Sequence, residues 1–181
     1  MNLRKSGLIK ASLALPLLLI LAGCTTDGGA KATSPKPLPS TSESSATLTT
    51  DASKYISVTG AAGKAPVLGA PIGAAPTELI ASDIYPGTGA VVAPTSTLTV
   101  QYTLLAWSTG KVVESSWTGG SPATFPLSGV IQGWQKGLPG MKAGGRRLLI
   151  IPPSLGYGST ASGPIAANET LVFVVDVLKV A

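Results

Sequence analysis

Glycine and proline punctuate residues 130–158 so densely that few backbones can accommodate the stretch. Val130-Ile131-Gln132-Gly133-Trp134 reads as the start of a short helix, and Gly137-Leu138-Pro139-Gly140-Met141-Lys142 as a turn. Gly144-Gly145-Arg146-Arg147 reads as a basic hairpin corner leading into an apolar strand at residues 148–151. Pro152 and Pro153 stop that strand, because neither can donate to a ladder. The chain then leaves through Ser154-Leu155-Gly156-Tyr157-Gly158. Trp134 and Tyr157 each stand beside glycine, free of neighbouring bulk and able to line a cavity. The plainer reading makes both of them ordinary core aromatics.

The flanking segments fit a sheet around this stretch. Residues 98–104, Leu-Thr-Val-Gln-Tyr-Thr-Leu, alternate apolar and polar. That predicts a strand with one face buried and Tyr102 on that face. Ser108-Thr109-Gly110-Lys111 predicts a hairpin turn, with glycine supplying the positive φ and residues 111–115 returning. Residues 171–180 are apolar on both sides until Asp176, as in a central strand. Residues 55–60 predict one more short strand, and the Pro/Gly-rich residues 61–76 an extended flap packed on the domain. The glycines at 60 and 63 do not make a phosphate loop: their spacing is short, and Ala65 stands where a hydroxyl should meet magnesium. No internal repeat is visible, so a single folded unit is expected.

Charge excludes several functions. Charged residues are 12% of the chain, about half the usual share. The net charge of +5 includes Arg4, Lys5 and Lys10 of the leader; without them ten basic residues face eight acidic ones. So small an excess does not mark a phosphate-binding surface, and no nucleic-acid partner is expected. The chain has no histidine, which removes His-based triads and most zinc sites.

The leader itself is informative. A basic start is followed by the apolar run 11–22, shorter than the roughly 20 residues a bilayer span needs. This reads as an export signal over residues 1–23. Leu21-Ala22-Gly23-Cys24 resembles the bacterial lipobox, in which the cysteine thiol is acylated and the chain cut just before it. The alternative is an uncleaved anchor with an incidental cysteine. One cysteine rules out an internal disulfide, and two or more acyl chains would hold the protein stably on a membrane. Residues 24–54 are rich in Ser, Thr and Pro and almost without large apolar groups, the composition of a disordered tether. A linker of roughly 30 residues would hold its ends about 30 Å apart. The expected location is therefore extracytoplasmic, on the cell envelope.

The run VI-x-GW-x-x-G-L-x-x-M-x-x-G, then an apolar strand, then PP-x-x-x-YG, resembles the signature of the FKBP-type peptidyl-prolyl isomerases. The resemblance covers residues 79–180, leaving 55–78 as an N-terminal extension and 79–181 as the isomerase-like domain. It implies an α+β fold: a curled antiparallel sheet wrapped around one short α-helix, with a hydrophobic pocket between them. It also implies the parts of the site. Trp134 floors the pocket, and Tyr102, Val130, Ile131 and Phe173 wall it. The Ile131 amide and the Tyr157 hydroxyl hydrogen-bond the substrate, and Ile165 closes one side. The family's aromatic–acid pair falls on Val113 and Glu114, so the aromatic is missing and the aspartate is a glutamate. The wall phenylalanine expected after Pro122 is Ala123, with Phe125 two positions on. The loop between Tyr157 and Thr170 is one residue shorter than usual, with Ser162 near the family's frequent histidine. A wider, weaker pocket follows from these departures.

The resemblance implies proline-containing polypeptides as substrates, macrolide inhibitors, a monomer, and neither cofactor nor metal. Two other classes remain open on the sequence: a chaperone that holds proline-containing segments without turnover, and a structural envelope lipoprotein. The anchor has its own test. Cys24→Ser should abolish labelling by a fatty-acid probe and leave an unprocessed or released form; equal labelling of the variant would overturn the lipobox reading.

Overall fold

A computed structural model describes residues 47–48 and 52–181. The expected signal peptide, Cys24 and most of the expected tether lie outside the described residues. In chain order the strands are β1 (Thr47–Leu48), β2 (Val58–Thr59), β3 (Val67–Leu68), β4 (Ile80–Tyr85), β5 (Thr97–Ala106), β6 (Lys111–Ser115), β7 (Ala123–Pro126), β8 (Arg146–Ile151) and β9 (Leu171–Val180). Among the described residues one α-helix, α1 (Gln132–Gly137), falls between β7 and β8. The main sheet runs β1-β4-β8-β9-β5-β6, with β7 pairing alongside β5. Its pairings are antiparallel except that of β1 with β4. The fold class is as expected, a mostly antiparallel sheet with one short helix. No helix of the described residues is long and apolar enough to cross a membrane.

β9 lies between β8 and β5, and its composition explains why. Side chains alternate faces along a strand, so one covered on both sides must be apolar throughout. Leu171, Phe173, Val175 and Val177 enter one core with Leu149 and Ile151 of β8 and Leu98, Val100 and Leu104 of β5. Val172 and Val174 enter a second core with Leu148, Ile150 and Leu105. Trp134 of α1 and Leu138 just beyond it cover the first core. Ala52, Ile56 and Ile80 are buried in the second, with Tyr55, Val58 and Leu68 packed against it.

That second core corrects two expectations. Residues 98–104 bury more than one face: Gln101 and Thr103 are buried too. They are engaged by Ser116 and Ser115, and Leu105 beyond them enters the second core. The segment before residue 79 is also more built than a flap. Only Val58–Thr59 of residues 55–60 is strand, and it pairs antiparallel with Val67–Leu68. The Ile72 amide donates to the Tyr55 carbonyl at 2.7 Å. Regular structure starts before the expected end of the tether, since β1 pairs with β4 and residues 52–54 form a 3₁₀ turn.

α1 sits close on β8 because two glycines, four residues apart, share its inner side. A Cβ on Gly133 would lie 2.4 Å from Ile151 Cγ2, and one on Gly137 2.7 Å from Leu149 Cδ2. At either place a larger residue would force the facing side chain or the helix to shift.

The basic corner turns out to be interior. Arg146 and Arg147 begin β8 and are only 1% and 2% exposed. As neighbours on a strand they point to opposite faces. Arg147 donates through Nε and Nη2 to Asp83 at 2.7 and 2.9 Å, and through Nη1 to the Gly137 carbonyl at 2.7 Å. It therefore takes up an orphan carbonyl at the C-terminus of α1. Arg146 donates through Nε to both Asp176 oxygens, at 2.8 and 3.1 Å, and lies over the Tyr85 ring. Its other nitrogens reach the carbonyls of Gly60 at 3.2 Å and Lys64 at 2.5 Å, clasping the turn between β2 and β3. Burial pushes the Asp176 carboxyl above its ordinary value, against the opposing pull of Arg146.

Removing one partner of a buried pair leaves an uncompensated charge. Arg146→Leu should lower stability by about 3–5 kcal/mol, read from urea unfolding. Adding Asp176→Leu should restore part of the loss. An Arg146→Leu variant as stable as the parent would show that the clasp contributes nothing.

Candidate active site

A cavity of about 390 Å³ opens between the sheet and the start of α1. Tyr102 and Leu104 reach it from β5, Glu114 from β6, Phe125 from β7 and Phe173 from β9. Gly129, Val130 and Ile131 line it from the turn before α1, Trp134 from α1 itself, and Tyr157 from the loop after the Pro153–Leu155 turn.

Trp134 is the centre of this arrangement. It is 4% exposed, and three rings stand edge-on or nearly so around it. The Phe173 centroid is 5.3 Å away at 85°, Tyr102 5.8 Å at 82° and Phe125 6.1 Å at 86°. Such edge-to-face pairs set ring against ring and add to the apolar contact itself. The Trp134 indole nitrogen is buried and has no hydrogen-bond partner.

Polar groups at the cavity are few. The Tyr102 hydroxyl donates to the Glu114 carboxylate. The Tyr102 amide donates to Ser116 Oγ at 2.8 Å, which fixes the strand behind the ring. Burial, first, and then the bond to Glu114 and its charge drive the Tyr102 phenol far above its ordinary value. The phenol therefore stays protonated and neutral throughout the physiological range. At the cavity the Ile131 amide and the hydroxyl of Tyr157, which is 40% exposed, are unpaired among the described residues, as is the buried Trp134 indole N–H. Among the described residues no three Asp, Glu, Cys or His side chains converge as metal ligands would.

Of the residues singled out in the sequence, Tyr102, Glu114, Phe125, Val130, Ile131, Trp134, Tyr157 and Phe173 meet at this cavity. Trp134 is at once a core aromatic and a cavity residue. Val113, Ala123 and Ile165 do not line it. Val113 is half-buried and packs against the core behind. Ile165 is 6% exposed in that core, held in a tight turn by paired backbone bonds with Ser162 at 2.9 and 3.0 Å. Ala123 lies opposite Val100 on β7, and Phe125 opposite Leu98. Two residues apart, they share a face, and of the two only Phe125 lines the cavity. The expected gap in the wall is therefore narrowed by a ring from a neighbouring position. Sequence reading missed Leu104 and Gly129. Leu104 could have been found by counting two residues on from Tyr102; nothing local marks Gly129.

Residues 89–178 match the family of FKBP-type peptidyl-prolyl cis-trans isomerases. The chain is 45% identical over 114 residues to an FK506-binding protein of Streptomyces anulatus, covering 61% of this chain and 92% of that one. It is 41% identical over 106 residues to the FKBP-type peptidyl-prolyl cis-trans isomerase FkpA of Escherichia coli, covering 58% of this chain and 38% of FkpA. The crystal structure of FkpA is similar, with a TM-score of 0.54 at 39% identity over 57% of this chain and 48% of that one. A peptidyl-prolyl cis-trans isomerase from Pseudomonas syringae pv. tomato is also similar, with a TM-score of 0.52 at 29% identity over 57% and 75%.

If Phe125 supplies the missing wall, cutting it back should matter more than its half-buried state suggests. Phe125→Ala should weaken prolyl-peptide binding about five- to thirtyfold, the equivalent of about 1–2 kcal/mol of lost contact. Isothermal titration with a short prolyl peptide reads this directly. Unchanged affinity in a folded variant would place the bound ring elsewhere.

Proposed function

The chain belongs to the FKBP-type peptidyl-prolyl cis-trans isomerase family, and from that membership we propose how its cavity turns a prolyl amide and where the protein works. Rotation about the amide meets a barrier of about 18–20 kcal/mol from resonance, and takes tens to hundreds of seconds uncatalysed. No proton transfer and no covalent bond to the enzyme is needed. Catalysis requires only that the twisted amide be bound better than the planar one. The planar carbonyl is the more polar of the two, so a dry wall beside it favours the twist. The edge-on rings around Trp134 form such a wall.

The observation that carries this reading is the pair of unpaired donors, Ile131 N–H and Tyr157 hydroxyl, at the rim of an aromatic cavity. They would grip substrate carbonyls on either side of the proline while its ring sits against Trp134. Glu114 would hold the Tyr102 hydroxyl in place and bring the site's charge. Val130 and Phe173 would complete the wall. Val113, Ala123 and Ile165 would act from behind it, by supporting the residues that touch substrate. Macrolides of the kind named for the Streptomyces relative would occupy the same cavity.

The basic leader, the apolar run and Cys24 support export and attachment to a membrane through lipid. The protein would then act as a monomer on exported chains, outside the cytoplasm, from the end of a tether.

A protease-free assay on prolyl peptides, with the residue before proline varied, tests the site. Large apolar residues there should react fastest, and an acidic residue slowest because Glu114 repels it. The rate should be nearly flat between about pH 5.5 and 8, since the chain lacks histidine and the Tyr102 phenol, held far upward, loses no proton there. A preference for acidic residues, or a tenfold change of rate across that range, would contradict the site as drawn.

A further inference from the structure

Gln135 lies outside the cavity lining. From the second half of α1 its side chain folds back five residues, and Nε2 donates to the Val130 carbonyl at 2.7 Å. A longer contact runs to the Ser128 carbonyl at 3.4 Å. The Val130 carbonyl belongs to the same peptide unit as the Ile131 N–H. That unit is planar and trans, so its oxygen and its hydrogen point to opposite sides. Holding the oxygen therefore fixes where the hydrogen points. Here the hydrogen has no partner among the described residues, and both Val130 and Ile131 line the cavity.

Without Gln135 little would set this plane. Val130 and Ile131 are in extended conformations, with φ and ψ of −105° and 177° and of −60° and 152°, between a 3₁₀ turn and the helix. No side chain caps the start of α1. The Ile131 carbonyl is engaged by the amides of Trp134 and Gln135 at 3.0 and 3.3 Å, which fixes the next peptide unit but not this one. An amide that accepts a hydrogen bond at oxygen is also polarised, which strengthens its own N–H as a donor.

We propose that Gln135 is a positioning residue for the isomerase site, orienting and polarising the Val130–Ile131 amide so that the Ile131 N–H is presented to a substrate carbonyl. This rests on the reading of Ile131 as a substrate donor, and the experiment separates the two. The chemistry needs a donor at position 135. Gln135→Glu keeps the shape but turns the group into an acceptor when ionised, while Gln135→Lys keeps a donor.

The full chain and its variants are assayed on a short prolyl peptide, with melting temperature and the ¹H–¹⁵N resonance of the Ile131 amide followed alongside. Gln135→Glu should lose about three- to tenfold in kcat/KM and shift the Ile131 resonance, with its melting temperature close to the parent's. The loss should fall on KM, because the donor grips substrate in ground and transition states alike. Gln135→Lys should regain most of it. Ile131→Pro removes the donor itself, and the φ of −60° and the extended Val130 before it suit proline; Ile131→Ala controls for the lost side chain. In the Ile131→Pro background Gln135→Glu should cost nothing further. Full activity in Gln135→Glu, failure of the lysine to rescue, or an undiminished second loss in the Ile131→Pro background would overturn the proposal. An Ile131→Pro enzyme as active as Ile131→Ala would instead overturn Ile131 as the donor, and the role of Gln135 with it.

Discussion

Two adjacent arginines on one strand hold the parts of this fold together. Strand geometry sends Arg146 and Arg147 to opposite faces of the sheet, where each meets a carboxylate and then reaches past it to backbone carbonyls. Only a guanidinium has enough donors, in a fixed fork, to do both at once. One clasp ties down the segment that covers the second core. The other ends the helix that covers the first. Both arginines and Asp176 are buried, while Asp83 reaches the surface, so the worth of the clasps lies less in net attraction than in the cost of leaving a buried guanidinium unpaired.

The site depends on this indirectly. α1 can bring Trp134 to the cavity only because Gly133 and Gly137 let its backbone lie against Ile151 and Leu149, and because Arg147 takes up the carbonyl of Gly137 at its far end. Around Trp134 the rings come from three different strands, so no one of them forms the cavity alone. The polar atoms left unpaired there are donors whose positions are set by backbone or by a ring, which suits a reaction that needs orientation and dryness more than proton transfer.

Much of this was legible in the sequence where a pattern is local. Residues 98–104 and 171–180 show their strand character through alternation and apolar runs, and the Gly110 turn shows through its composition. The glycines of 130–158 mark the helix, the turns and the two aromatics that meet at the cavity. What was hidden depends on partners distant in the chain. Charged residues are read as solvent-facing, and nothing near Arg147 announces Asp83, 64 residues away. The second buried face of β5 follows from cover supplied by Ala52, Tyr55, Ile56 and Val58, which nothing in the sequence of β5 itself announces. Phe125 and Ala123 share a face of β7, so alternation alone could not say which reaches the cavity. Gln135 is an unremarkable helix residue until its side chain is seen to turn backwards.

The order of the sheet has a mechanical consequence. β1 forms one edge and β6, which carries Glu114 to the cavity, the other. A pull applied through the chain ahead of Thr47 enters at the β1 edge. It loads first the short β1–β4 pairing and then the Arg146 clasp on the turn between β2 and β3. The strands that carry Tyr102, Glu114 and Phe173 lie on the other side of β8 in the sheet and take strain last. Tension at that end would strip cover from the second core before it deformed the cavity, so a domain held by its N-terminus could bear load and stay open to substrate.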